Sequence, residues 1–226
     1  MGLAVAHAAV DEGATVTIGG SSRVRLDAAL AALKGRAAGR PIDLADTQSI
    51  ERFCRDLDQV DHLVVTSQSS TAVRTLKPLS ELDFAAMEDA FRVKFHGTLA
   101  LLRAALPHLA ADGSIVLFSG AAARRTIPGH VALGALNGAL ESAGRQLAKE
   151  LAPIRVNVVS PGLVHTPAYD PMDQVARDAM FAARAKALPV GRVGRPEDIA
   201  LAVMQLLRNV YMTGVVLDID GGALLG

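Results

Sequence analysis

The chain has 226 residues, half of them hydrophobic, and 23 basic side chains balance 23 acidic ones, which suits one domain over 1–226. The zero net charge, the 4% aromatic content and the absence of Trp exclude the basic face and stacking platforms of a nucleic-acid binder. One cysteine, Cys54, excludes a disulfide framework or a cysteine-rich metal site, and no apolar run reaches the roughly 18 residues of a membrane helix.

Residues 2–12 carry helical spacing that Gly13 ends. Residues 14–18 form a β-branched strand running into the Gly19-Gly20-Ser21-Ser22 loop. Helical spacing returns over 23–34, with Leu26, Leu30 and Leu33 on one side, and Asp43 follows a short extended piece. Thr47 reads as the cap of a helix to about Leu57, and 61–65 as the next strand. Residues 80–109 hold two helical patterns, the second with Leu99, Leu102, Leu106 and Leu109. Then come a strand at 114–118, a helix at 131–151, a strand at 155–159, an irregular stretch, a helix at 196–208 and a strand at 214–219. Cys54 shares its helix with Phe53 and Leu57 and reads as packing. The opening Met1–His7 lacks the positive segment of a signal peptide and soon meets Asp11-Glu12. Ala6 breaks the myristoylation pattern. A soluble cytoplasmic protein with a small-molecule substrate, and with no nucleic-acid, membrane or metal partner, is expected.

Such alternation implies an α/β fold, a doubly wound parallel sheet covered on both faces, with strands that are nearly continuous apolar runs. Ligands in such sheets bind beyond the carboxyl ends of the strands. The loops after residues 18, 65, 118 and 159 are therefore where chemistry is expected.

Ile154-Arg155-Val156-Asn157-Val158-Val159-Ser160-Pro161-Gly162 closely resembles a segment of the short-chain dehydrogenases/reductases. So do Gly191–Ala200, Thr213–Gly222 and the strand Asp61–Val65, in the same order and spacing and over essentially the whole chain. The resemblance implies a Rossmann-like sheet flanked by helices, and hydride transfer between a nicotinamide cofactor and a carbonyl or alcohol. In that family a Tyr with a Lys one helical turn later, a Ser and an Asn carry the acid–base work; i and i+4 share a helix face. Counted from Ile154–Asn157, the Tyr position holds Leu133 and the Lys position Asn137. The Ser position holds Gly120, beside Ser119, and the Asn position holds Lys94. Leu exchanges no proton, and Asn carries no charge to depress a neighbour's pKa. What is implied is an NADP(H)-linked oxidoreductase without the usual Ser, Tyr and Lys, or a non-catalytic nucleotide-binding or structural partner subunit. Ser119, Lys94 and His130 are the candidate catalytic residues, against plain readings as hydrogen-bonding or solvated side chains. His165, in the loop after Pro161-Gly162, is a further candidate.

The family opens with a strand and a glycine-rich turn that cradles a pyrophosphate at a helix N-terminus. By this resemblance Gly2 takes the place of the last glycine and the first strand is missing, as an internal Met codon taken for the start would explain. Losing about six residues with three or four buried side chains, at about 1.5–3 kcal/mol each, removes roughly 5–12 kcal/mol. Domain stability is typically about 5–15 kcal/mol, so an unstable or rearranged centre is expected. Gly19 and Gly20 stand where an acidic residue would select NAD. Ser21, Ser22 and Arg23 after them suit a 2′-phosphate, so NADP is expected, with NAD possible and a solvated turn the plain alternative. By the same resemblance Asp43 meets the adenine. Pro161, Gly162 and Thr166 receive the nicotinamide carboxamide, although folding alone would also require that turn. The helices near 85–109 and 131–151 would pair with a neighbour's into a homo-oligomer, a dimer or tetramer, through Leu99, Leu102 and Leu106 and through Gly138, Ser142 and Arg145. Residues 167–190 would cover the substrate, a partly apolar one if Ala168, Tyr169, Met172, Met180 and Phe181 face it. Arg124-Arg125 reads as a solvated rim or as a contact for an anionic substrate.

Overall fold

Helices and strands alternate through the computed structural model, which describes residues 1–225. In chain order they are α1 (Gly2–Asp11), β1 (Val16–Gly20), α2 (Arg23–Ala32), β2 (Ala37–Pro41), α3 (Thr47–Arg55), β3 (Val60–Val65), α4 (Phe84–Phe91), α5 (Gly97–Ala105), β4 (Leu109–Phe118), α6 (Val131–Glu150), β5 (Arg155–Pro161), α7 (Gln174–Ala187), α8 (Pro196–Arg208) and β6 (Val216–Ile219).

The strands are all parallel, but they form two sheets, β1–β2 and β3–β4–β5–β6, rather than the one expected. Among the described residues β1 and β3 each keep one edge without a strand partner. Helices supply the continuity instead. Val5 of α1 packs with Val116, Phe118 and Val159, while Ala6 and Val10 of the same helix pack with Leu33, Val16 and Ile18. Ile50 and Phe53 of α3 join Ile42 to the core made by Leu102, Ile115, Leu117 and Val158. Buried Val, Ile and Phe side chains such as Val5, Ile50 and Phe53 contribute about 1.5–3 kcal/mol each, so α1 and α3 tie the two sheets together. Cys54 is buried in this core, and burial pushes its thiol up.

Local chemistry sets the element ends. Asp46, not Thr47, caps α3: its carboxylate accepts from Gln48 N–H at 2.9 Å, and Thr47 is the first helical residue. Pro196 opens α8, and Asp198 accepts from the Arg195 N–H at 2.7 Å. At the other end of α8 the orphan carbonyls of Leu206 and Leu207 accept from Arg155 at 2.7 and 2.8 Å. The expected helix to Leu109 stops earlier, because Pro107 confines 106–108 to a single 3₁₀ turn. Leu109 then begins β4, whose pairing with β3 is irregular between Val60 and His62. A π turn, Arg92–His96, joins α4 to α5. Helix α7 falls in the stretch read as irregular; it buries only Phe181, too little to leave an apolar stripe. No described helix is long and apolar enough to cross a membrane.

Candidate active site

The parallel registers, with Val65 opposite Leu117, Phe118 opposite Val159 and Pro161 opposite Ile219, put the carboxyl ends of β3, β4, β5 and β6 on one side of the sheet. Ser119 follows β4 directly and extends its ladder, its N–H donating to Val159 O at 2.9 Å. Two helices deliver polar side chains to this point. The π turn carries Lys94, whose ammonium donates to Asn137 Oδ1 at 2.9 Å and to Ser119 O at 3.2 Å. Lys94 is only 5% exposed and faces no carboxylate among the described residues. Burial alone pushes its ammonium down to about 8, because removing water penalises the charged form. Both acceptors are neutral oxygens, which hold the ammonium without cancelling its charge.

Asn137 lies one turn after Leu133 on α6, and Glu141 one turn later again. Leu133 is half-buried and offers no polar group. Glu141 is buried and accepts from Ser119 Oγ at 3.0 Å and from Arg124 Nη2 at 3.3 Å. Arg124 also holds Asp218 of β6 through two hydrogen bonds. The Ser119 hydroxyl is thus committed to a carboxylate inside the fold, and its backbone carbonyl, not its side chain, meets Lys94. Glu141, Arg124 and Asp218 were not foreseen as a network. A Glu four residues after Asn137, amid the small apolar residues at the middle of α6, was the available signal. Gly120 leaves room for this arrangement: a Cβ there would stand 3.0 Å from Asn137 Nδ2.

His130 is placed elsewhere. It ends the turn before α6, with Nδ1 3.1 Å from Pro128 O. It lines an open groove of about 440 Å³ together with Lys77, Leu79, Arg125, Ile127 and Gly134. His165 stacks edge-on against Phe181, 4.6 Å between centroids, with Tyr169 on the same ring at 5.3 Å. Burial raises the Tyr169 phenol. These contacts seat α7 on the loop after β5.

The residues expected at a dinucleotide have mixed positions. Helix α1 starts with no side-chain cap, and its first intrahelical bond runs from Val5 N–H to Met1 O at 3.1 Å. A Cβ on Gly2 would lie 2.6 Å from Thr66 Oγ1, just past β3, so a larger residue here would have to turn the Thr66 side chain aside. Ser21 is exposed. The Ser22 hydroxyl accepts from Arg25 N–H at 3.4 Å as the α2 cap, and Arg23 pairs with Asp27 at 2.9 Å in solvent. Asp43 is exposed; one oxygen accepts from Ala45 N–H at 2.9 Å. Gly162 packs so closely on Asp220 that a Cβ would come within 2.7 Å of its Cα, which accounts for the glycine by folding alone. Pro161 ends β5, and Thr166 precedes the short turn 167–169 without a side-chain capping bond. On the outer face of α6, Ser142 and Arg145 are exposed, and the space over Gly138 is open. Among the described residues no cluster of metal-binding side chains occurs.

The family model described as enoyl-(acyl carrier protein) reductase matches residues 1–223. The chain is similar to the short-chain dehydrogenase/reductase ATR9 of Stachybotrys chlorohalonatus, with 32% identity over 240 residues covering 100% of this chain and 93% of that one. Among solved structures it resembles a small-chain dehydrogenase in complex with NADPH, at TM-score 0.82 and 34% identity, covering 94% of this chain and 99% of the other. It also resembles an NADPH-bound short chain oxidoreductase from Pseudomonas aeruginosa containing an atypical catalytic center. There the TM-score is 0.86 and the identity 28%, over 98% of this chain and 91% of that one.

Proposed function

The chain belongs to the short-chain dehydrogenase/reductase family, and from that premise we propose that it is an NADP(H)-linked oxidoreductase of carbonyls or alcohols whose proton chemistry rests on Lys94. The observation that supports this most is the buried Lys94 ammonium, held between Asn137 Oδ1 and Ser119 O at the carboxyl end of β4. The resemblance puts a Lys at 137 and an Asn at 94. Here the two residue types are exchanged and touch each other, so a cation still stands at this point of the cleft.

The described residues fit a dinucleotide at the first turn of α1. Its uncapped N–H groups favour an anion, and Gly2 lets that turn approach Thr66 closely. Ser21 and Arg23 would hold the 2′-phosphate, since Ser22 is engaged as a helix cap. Asp43 would lie toward the adenine, and Pro161, Gly162 and Thr166 toward the nicotinamide. When bound, the cofactor supplies the hydride. The protein must orient the carbonyl and provide one proton. Lys94 carries a removable proton, and its low pKa lets it release that proton nearer neutrality than an ordinary lysine would. His130, at the groove, is the second candidate.

The experiment is NADPH oxidation with a panel of aldehydes and ketones, followed by absorbance. Turnover is expected from the wild-type chain. Lys94→Met should abolish it while NADPH binding persists, and His130→Gln should leave most of it. If NADPH binds and no carbonyl is reduced, the chain is instead a non-catalytic nucleotide-binding or structural partner. The engagement of the Ser119 hydroxyl by Glu141 favours that second reading.

A further inference from the structure

Arg124 and Arg125 are neighbours in sequence and differ completely in surroundings. The Arg124 guanidinium is taken up by Asp218 and Glu141. Arg125 anchors its turn through its backbone, N–H to Ala121 O at 2.8 Å. Its half-buried side chain has no ion-pair or hydrogen-bond partner among the described residues. It lines the groove that holds His130, and also a small adjoining cavity of about 30 Å³. Arg184 of α7 lines that second cavity beside Leu163, Leu188 and Ala223, and it too has no partner among the described residues. No Asp or Glu lines either space, whereas Lys77, Arg124, Arg125, Arg184 and His130 do. Lys77 is paired with Glu81, and Arg124 with Glu141 and Asp218, so Arg125 and Arg184 are the cations here without a counter-charge among the described residues, and such charges draw anions. The groove wall between the cations is apolar, through Leu79, Ile127 and Val131.

We propose that Arg125 and Arg184 form a carboxylate subsite, so that the chain takes an apolar substrate ending in a carboxylate. A guanidinium presents a planar fork that matches a carboxylate in two hydrogen bonds. The adjoining cavity is a few times the minimum that holds one water, which suits a planar three-atom group and crowds a phosphate. The word substrate rests on the oxidoreductase reading; the subsite itself does not.

Octanoate and its neutral isostere octanamide test the subsite directly, by calorimetric titration of the wild-type chain without cofactor. Octanoate should bind at least about tenfold more tightly, since a hydrogen bond to a charged group is worth roughly 10–100-fold. Arg125→Gln and Arg184→Gln should each weaken octanoate by about tenfold or more and leave octanamide unchanged. Arg125→Lys, keeping the charge and losing the fork, should fall between. Arg55→Gln, an exposed arginine at the end of α3, should change neither. Neither subsite arginine holds another described side chain, so the variants should melt with the wild type. Equal binding of the two probes, no binding of octanoate, or octanoate binding that ignores both substitutions would overturn the proposal. The two readings fail separately. Octanoate binding that depends on Arg125, in a chain that never oxidises NADPH, removes the oxidoreductase reading alone. NADPH oxidation at equal rates with a keto acid and its methyl ester removes the carboxylate subsite alone.

Discussion

Lys94→Met should change how stability depends on pH, and the change can be worked from the structure. The side chain is 5% exposed, and burial lowers its ammonium from 10.5 to about 8. Below about pH 8 both folded and unfolded chains carry the charge, so the folded state bears the full penalty. Between about pH 8 and 10.5 the unfolded state binds more protons, and stability therefore rises with pH. A shift of this size corresponds to about 3 kcal/mol. The variant removes that penalty but leaves Asn137 Oδ1 and Ser119 O without their donor, at about 1–3 kcal/mol for each unmet buried group. At neutral pH the two effects largely oppose each other, so a single melt decides little. The slope decides. Urea unfolding of both proteins from about pH 7 to pH 10.5 should show the wild type gaining about 3 kcal/mol on the variant. Other groups titrating there are common to both and drop out of the difference. Asn137→Asp sharpens the test, because a carboxylate against the ammonium should restore the charge and flatten the slope. Parallel wild-type and Lys94→Met curves would refute the assignment of a desolvated, unpaired ammonium at this point.

Restoring Leu133→Tyr, Asn137→Lys and Gly120→Ser together should fail to raise carbonyl reduction while Lys94 remains, because two ammonium groups would then meet where Lys94 and Asn137 now lie 2.9 Å apart. Adding Lys94→Asn should release the gain, read as NADPH oxidation; a triple variant as active as the quadruple would count against this contact. Hydrogen exchange should find the amides of β1 and β2 exchanging faster than those of β4 and β5, since an isolated two-stranded pair is marginal and β5 is buried along its whole length. Uniform protection across both sheets would contradict the separation. Arg192 and the Arg195 backbone hold the Asp198 carboxyl down to about 2. Its contribution is present above about pH 4 and lost as pH falls through 2. Asp198→Asn should therefore cost about 1–2 kcal/mol at neutral pH, discounted for partial exposure, and nothing near pH 2, by acid-titrated unfolding.

The alternation of helices and parallel strands was legible because β4 and β5 are apolar along most of their length, and strands buried on both faces read that way. The division into two sheets accords with the expectation of a missing first strand and a rearranged centre; how α1 and α3 bridge the gap was not legible, since it depends on which surfaces lie side by side. Helix α7 escaped for a related reason, with Phe181 its single buried residue. At the site, the resemblance put Lys94 and Asn137 at exchanged positions, but their hydrogen bond needed coordinates. The Ser21-Ser22-Arg23 run shows how one sequence supports two roles. Small hydroxyls before a helix suit a phosphate and equally suit a cap, and Ser22 takes the cap. Arg124 and Arg125 looked alike as a pair; only the fold distinguishes the one held by Asp218 and Glu141 from the one facing open space.

The most direct test of the account is a calorimetric titration of NADPH, and then NADH, into the purified 226-residue chain. Binding of NADPH, tighter than that of NADH and weakened by Arg23→Ala, is the predicted result. A folded chain that binds neither dinucleotide would contradict the NADP(H)-linked reading at its foundation.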